Sequence, residues 1–568
     1  MRIVGLIASL CLPLLLANPA FAGKDTLLSG DLTSSTPAVV PSTDSASSSV
    51  PTSTVSNPNP WSLWSSPLSP VTIESTPTRS FYVSKTGSDT GDGSQTNPWQ
   101  TIRRGVSGLV AGDALYIQEG TYEENVDMVS SGSLSAYITL EGVGRVILDG
   151  TNLADSESGI ETNGRDFLRF KNLEFRNLRA GIDVEATSIY IEIDGLRADG
   201  NDYAVRITDA NHVTVRNAYA TNSKNAFRAT GISHDLLFER VQAYNSLDIF
   251  PGSNPDYLNG DGVIAEAQVD KLTIRNSIFA NNADAGIDFK GTNGLFENIV
   301  AYGNKNNFKM WGTATIKSSL SHHAKRQLLT DGIRTVEGNG ITIESQGDVT
   351  VLQTTFVSNE DHDIRIYVDG KLRLENSIVA RSVSNGLLFE SNGSFSSERV
   401  LWYSSGLDLS KLTLSSTDFR ADPEFVNWAG EDFHLKKTSL AIDYVPVTAS
   451  LSPADLDAKP RVVGLKSDLG AYEYQTALTP PFTSLTNGDT VSGTIFVGPN
   501  LSAYPTVSQV SYYVDGAKLY STKTKPFTWG GSKGYNTKNL KNGTHLLIGV
   551  FRIGGKDYRF LLVFIVAN

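Results

Sequence analysis

Cysteine is nearly missing from this chain: the 568 residues hold one, Cys11. Disulfide frameworks and thiol catalysis are therefore excluded for most of its length. Methionine occurs 3 times and histidine 7 times, and no histidine or cysteine cluster stands out in the sequence as a set of soft metal ligands. No apolar run reaches the roughly 18 residues of a spanning helix, so no transmembrane segment is expected. An excess of basic residues is lacking too. The formal net charge is −12 with both signs interspersed, which argues against nucleic acid as a partner.

What is present starts with Met1-Arg2, an apolar stretch from Ile3 to Ala17, and Ala20-Phe21-Ala22. A charged start, a short apolar core and an A-x-A site predict a secretory signal over 1–22, so a secreted, extracellular or periplasmic protein is expected. Cys11 would leave with that signal. Residues 23–78 are dominated by Ser, Thr and Pro and bury too little apolar surface to offset chain entropy; a disordered linker is expected there. Order is expected from Phe81-Tyr82-Val83 onward. Thr101 to Val110 reads as a short helix closing one end of a repeat array, followed by a strand from Ala114 to Gln118.

The array itself repeats with a period near 22. Leu168-x-Phe170-x-Asn172, Val213-x-Val215-x-Asn217, Leu272-x-Ile274-x-Asn276 and Leu372-x-Leu374-x-Asn376 share one frame. Arg240, Asn298, Ser318 and Thr354 fall into it more loosely. Apolar and polar residues alternate within each unit, which is the mark of short strands with one inward face. The fold class predicted is all-β: a right-handed parallel β-helix over 79–475, the catalytic domain. Two steps, Arg240 to Asn276 and Ser318 to Thr354, are 36 residues long. Each holds one coil plus an insert, and the first insert falls around Ser246 to Gly260. Beyond Pro480-Pro481 longer alternating strands (Val507 to Val514, Thr544 to Arg552, Tyr558 to Val566), with turn signals at Asp515-Gly516 and Asn542-Gly543, predict an immunoglobulin-like β-sandwich over 476–568.

A second pattern places a charged residue after an apolar one: Ile182-Asp183, Val205-Arg206, Phe227-Arg228, Ile287-Asp288 and Phe308-Lys309. Strand side chains alternate, so the charges are expected to point outward as a row across successive coils. Asp261, Asp284, Asp288 and Lys309 recur at 23- and 21-residue intervals and would meet on one face. The three aspartates offer hard oxygen ligands of the kind calcium takes, although aspartates at coil corners also serve simply as turns. Arg206 and Arg228 in the same row, with Lys290 beside it, could bind the carboxylates of an acidic polymer. His322, His323, Lys325 and Arg326 are further residues that could flank a cleft.

The stretch Asn259-Gly260-Asp261-Gly262-Val263, Asn281-Asn282-Ala283-Asp284-Ala285-Gly286-Ile287-Asp288 and Asn307-Phe308-Lys309 resembles the family 9 polysaccharide lyases. The resemblance is densest over 257–325. It implies a pectate lyase-like β-helix that cleaves a uronate-containing polysaccharide by calcium-assisted β-elimination. It further implies calcium ligands at Asp261, Asp284 and Asp288, and a base at Lys309. A lysine base must be neutral against an ordinary pKa of about 10.4, so an alkaline optimum is expected. The chain departs from the family pattern at Ala285, where an aspartate is usual, and at Asn307, where a glycine is usual.

The partner expected is an acidic polysaccharide, and a monomer is expected to act on it. An epimerase would use the same proton abstraction, and a non-catalytic polysaccharide-binding or matrix protein could keep the same fold. A polygalacturonase-like hydrolase is disfavoured because no Gly-His-Gly occurs. Tyr512, Tyr513, Trp529 and Tyr535 of the last domain could stack on sugars, although core packing explains them more simply.

Overall fold

A computed structural model describes residues 76–568 apart from 155–156, 249–257, 327–336, 391, 404–405, 408–413, 449–450, 464–465, 476–481, 487, 503 and 554–555. The signal segment and nearly all of the linker lie outside the described residues, as do parts of both inserts. No helix among the described residues is long and apolar enough to cross a membrane.

Alternation dictates the architecture. In Leu168–Lys171, Glu174–Arg176 and Ala180–Val184, Leu168, Phe170, Phe175 and Ile182 turn inward and are buried. Each finds its like one coil on: Leu168 pairs with Ile191, Phe175 with Ala198 and Ile182 with Val205, all parallel. Repetition of three strands per coil builds one 22-stranded and one 12-stranded parallel sheet around a single apolar core, a right-handed β-helix. Each fully buried large apolar side chain contributes about 1.5–3 kcal/mol, and stacking spreads that gain along the axis.

Corners need a residue that accepts the left-handed region, which asparagine does at small cost. Asn172, Asn217, Asn276, Asn298 and Asn376 have φ of 54, 50, 54, 54 and 54°. Their amides also bond from coil to coil, as Asn298 Nδ2 does to Asn276 Oδ1 at 3.1 Å. Arg240 and Ser318 hold the same corner, but the member predicted at Thr354 is Gln353, with φ 50°. Its N–H continues the ladder by donating to Glu375 O, so the strand Asp348–Leu352 ends one residue earlier than its apolar spacing suggests.

The two long steps are single enlarged coils: Leu236 pairs with Leu272 and Ile316 with Val351. Both inserts occupy the connection that enters the 12-stranded sheet. The strands of that sheet that matter here are β1 (Ala180–Val184), β2 (Tyr203–Thr208), β3 (Phe227–Thr230) and β4 (Val263–Ala265). They continue as β5 (Ala285–Phe289), β6 (Asn306–Met310), β7 (Asn339–Ile343) and β8 (His362–Ile366). One insert precedes β4 and the other precedes β7, so they bracket β5 and β6.

Helix α1 (Ile102–Val106) is shorter than predicted; Thr101 caps its start by accepting from Arg104 N, and Gly108 follows its end. Ile102 and Val106 join the coil core. In the last domain a five-stranded sheet turns Tyr512 and Phe551 into one core with Trp529, giving the immunoglobulin-like sandwich. Asp515-Gly516 forms the hairpin between Val507–Val514 and Ala517–Thr522. Asn542-Gly543 does not form one; Gly543 opens Gly543–Ile553, whose hairpin partner Lys556–Val566 follows it. Tyr512 and Trp529 are core residues, with the Tyr512 hydroxyl donating to Phe527 O at 2.7 Å.

Candidate functional site

Strand register converts the charged pattern into a column: Asp183, Arg206, Arg228, Ile264, Asp288, Lys309, Thr342 and Arg365 are successive partners from β1 to β8. The expected row is therefore interrupted by Ile264 of β4. That coil contributes an acid from Asp261 instead, just before its strand begins.

Asp261, Asp284 and Asp288 are all buried, and each offers a carboxylate oxygen within 4.8 Å of the others. Lys309 reaches back from β6 and donates to Asp284 Oδ2 at 2.9 Å. Asp261 is held by backbone and amide contacts: Ala285 N donates to its Oδ1 at 2.9 Å, and Asp261 N donates to Asn225 Oδ1 at 2.9 Å. The position where an aspartate is usual thus supplies a backbone donor, its methyl group lying in the buried part of β5.

Crowding three carboxylates away from water separates their proton affinities. Burial, then the charges of Asp284 and Asp288, push the Asp261 carboxyl well above the usual range. Asp288 rises to about 6, chiefly by burial. For Asp284 burial acts in the same upward direction, but the ammonium groups of Lys309 and Lys305 outweigh it and hold that carboxyl low. Asp288 Oδ1 is buried with no hydrogen-bond partner among the described residues. A buried, unpartnered carboxylate oxygen beside two further carboxylates is a donor set that suits a hard divalent cation such as calcium.

Arg206 is brought to the column but not to the cleft. Its Nη1 lies 2.7 Å from Asp183 Oδ2 and 3.7 Å from Glu185. Arg228 does line the cleft, with Nη1 donating to the Tyr203 hydroxyl at 2.9 Å. Lys290 lines it as well, 3.1 Å from Glu266 and 3.7 Å from Asp288. Arg326 is engaged with Asp361 at 3.1 Å, and His322 is buried on the flank.

Several neighbours escaped the sequence pattern. Lys305 is almost wholly buried, 2.9 Å from both Asp284 Oδ1 and Glu337 Oε2. Glu344, just past β7, is pushed up to about 7, mainly by burial. Trp311 is 37% exposed and has the Lys309 ammonium 5.9 Å from its ring centre. Asn307 anchors β6 beneath Lys309, its Nδ2 donating to Ser321 Oγ, His322 O and Asn359 Oδ1. The acidic triad and Lys309 lie at the floor of an open cleft of about 820 Å³, rimmed by Arg228, Lys224, Lys290 and Trp311.

Residues 81–362 match the Pel9A-like, right-handed β-helix region, and residues 481–547 match a bacterial Ig domain. The uncharacterized protein YwoF of Bacillus subtilis (strain 168) is 26% identical over 221 residues, 38% of this chain and 44% of that one. A pectate disaccharide-lyase of Dickeya chrysanthemi is 24% identical over 260 residues, 44% of this chain and 30% of that one. The matched region spans less than half the length of these curated relatives. Among solved structures, pectate lyase Pel9A is similar at 15% identity and a TM-score of 0.43, covering 70% of this chain and 97% of that one.

Proposed function

We propose, on the premise that this chain is a pectate lyase-like right-handed β-helix protein, that it acts outside the cell and cleaves a uronate-containing polysaccharide by β-elimination. One observation carries the reading: three buried aspartates with oxygens within 4.8 Å of one another, one of them, Asp284, bonded to a lysine of the next rung, on the floor of an open cleft.

Asp261, Asp284 and Asp288 would hold calcium. When bound, that ion supplies Lewis-acid stabilisation of negative charge on a uronate carboxylate. Lys309 accepts the proton from the carbon beside that carboxylate, and the glycosidic oxygen departs to leave an unsaturated sugar. Asp284 steers the Lys309 nitrogen through their 2.9 Å contact, so the base is aimed before substrate arrives. Arg228 and Lys290 place positive charge where neighbouring uronates would lie, while Trp311 offers a flat apolar face at the rim. Lys305 balances Asp284 from below, out of reach of solvent. With Lys305 and Lys309 both on Asp284, the metal-free site already offsets part of its negative charge. Calcium affinity in the absence of polymer is accordingly expected to be modest.

Absorbance of unsaturated uronates tests the proposal on a panel of polyuronates with calcium, with EDTA, and with Lys309→Ala. A calcium-dependent rise that the variant loses is the expected result. Polymer binding with no rise on any substrate would sink the lyase reading and leave an epimerase or a binding protein.

A further inference from the structure

The 22-stranded sheet carries a second cluster of donor atoms, which the sequence does not reveal. His322 ends the strand Leu320–His322, and His323 follows at the coil corner with φ 46°. In the five preceding coils that corner belongs to Gly200, Asn222, Asn245, Asn281 and Gly303, residues at ease in the left-handed region. His323 is the first residue of another type in that run, and the two following coils place Ser358 and Arg381 at the same corner. Glu431 arrives from far down the chain, itself at φ 62° as the cap of the short turn Trp428–Gly430. The strands Phe425–Asn427 and Asp432–Leu435 lay Phe433 over both imidazoles, with ring centres 5.2 and 6.4 Å away.

We propose that His322, His323 and Glu431 bind a borderline divalent ion of the zinc class, fastening the segment 425–435 to the flank of the solenoid. Three observations support it. His322 Nδ1 and His323 Nδ1 are 2.9 Å apart, and His323 Nδ1 lies 3.6 Å from Glu431 Oε1. Zinc bonds of about 2.0–2.1 Å at tetrahedral angles set neighbouring donors about 3.3 Å apart, between those two values. Two imidazoles and one carboxylate are a borderline set suited to zinc rather than calcium. His322 is buried while Glu431 is exposed, so the cluster opens to solvent on one side and can admit an ion with a water in the fourth position.

Zinc titration of the chelator-stripped full chain tests this, in calcium excess so that the acidic triad is occupied. His323→Gln and Glu431→Gln are the variants of choice because both side chains are partly exposed, and Asp261→Asn serves as control. The expected result is one equivalent of zinc bound, weakened at least about tenfold in each of the two variants and unchanged in the control. Thermal melting should shift upward with zinc in the parent chain and not in those variants. No zinc bound would leave only a proton shared between the two Nδ1 atoms and overturn the proposal. Binding unchanged in both variants, or lost in Asp261→Asn, would overturn it equally.

Discussion

Asp183 and Asp288 occupy one column, four rungs apart, and each is a buried acid with a cation on the next rung. Their surroundings differ in kind. Asp183 meets two guanidinium groups, Arg206 at 2.7 Å and Arg179 at 2.8 Å, which stay charged at any accessible pH. That cluster ties Asp183, Glu161 and Glu185 to the two arginines and includes no member of the triad. Asp288 meets only ammonium groups, with Lys290 at 3.7 Å, and stands beside two further carboxylates. Lysine can give up its proton, and crowded acids can hold or release theirs. Identical positions in a repeat thus yield an arginine-braced acid at one end and, at the other, a crowded set of titratable groups suited to the proposed proton transfer. The difference comes from arginine against lysine and from where the inserts lie.

The largest test of that contrast removes the lysine. Lys309→Ala should lower kcat/KM on the responsive polymer by roughly 10²–10⁴-fold, read from product absorbance, with polymer affinity largely kept. Lys309→Arg should fail equally, because it retains the charge and cannot serve as the base.

Arg206→Ala comes next and acts on the other end. Asp183 would keep Arg179 but lose its shorter partner, a cost of about 1–3 kcal/mol seen in chemical denaturation, with turnover unaffected. A loss of activity without loss of stability would erase the proposed division of labour.

The pH response is subtler. Without a cation, native Asp288 keeps its proton up to about 6, while the unfolded chain loses it near the ordinary value of 3.8. The native state therefore binds more protons in that window, and stability of the metal-free protein should fall as pH rises through it. Calcium should close the gap, and its affinity should rise by at least about tenfold between pH 5 and 7 as the protons of Asp288 and Asp261 are displaced. Calorimetry in buffers of different ionisation heat reads both the affinity and the released protons. The smallest effect is expected for Arg228→Ala: a few-fold weaker polymer binding with calcium binding untouched.

The column and the aspartates were legible because a solenoid turns sequence period into spatial adjacency; Asp261 and Asp284, and likewise Asp288 and Lys309, lie about one coil apart. Lys305 and Glu337 were not. Their meeting depends on where the second insert returns, and an aperiodic loop leaves no trace in a 22-residue frame. Gln353 shows the same limit in miniature, since a loose repeat unit fixes a corner only to within one residue. Glu431 reaches the histidines through tertiary folding alone. Asn307 is instructive in the opposite sense: the departure from a glycine was visible, but only three amide contacts to neighbouring coils explain why it suits β6.

The enlarged coils have a consequence for how such a protein can change. Joining ladder partners 36 or 35 residues apart instead of 22 adds only about 0.4 kcal/mol of loop-closure entropy, and the rungs on either side keep their register. The rack and its chemistry are therefore nearly indifferent to what the inserts contain. On the proposed function, lengthening, trimming or exchanging either one would alter which polymer fits above Asp288 and Lys309 while leaving the register of that column as it stands. If the proposed function holds, selectivity and catalysis are separately inheritable in this design, and grafted loops are the natural route to new substrates.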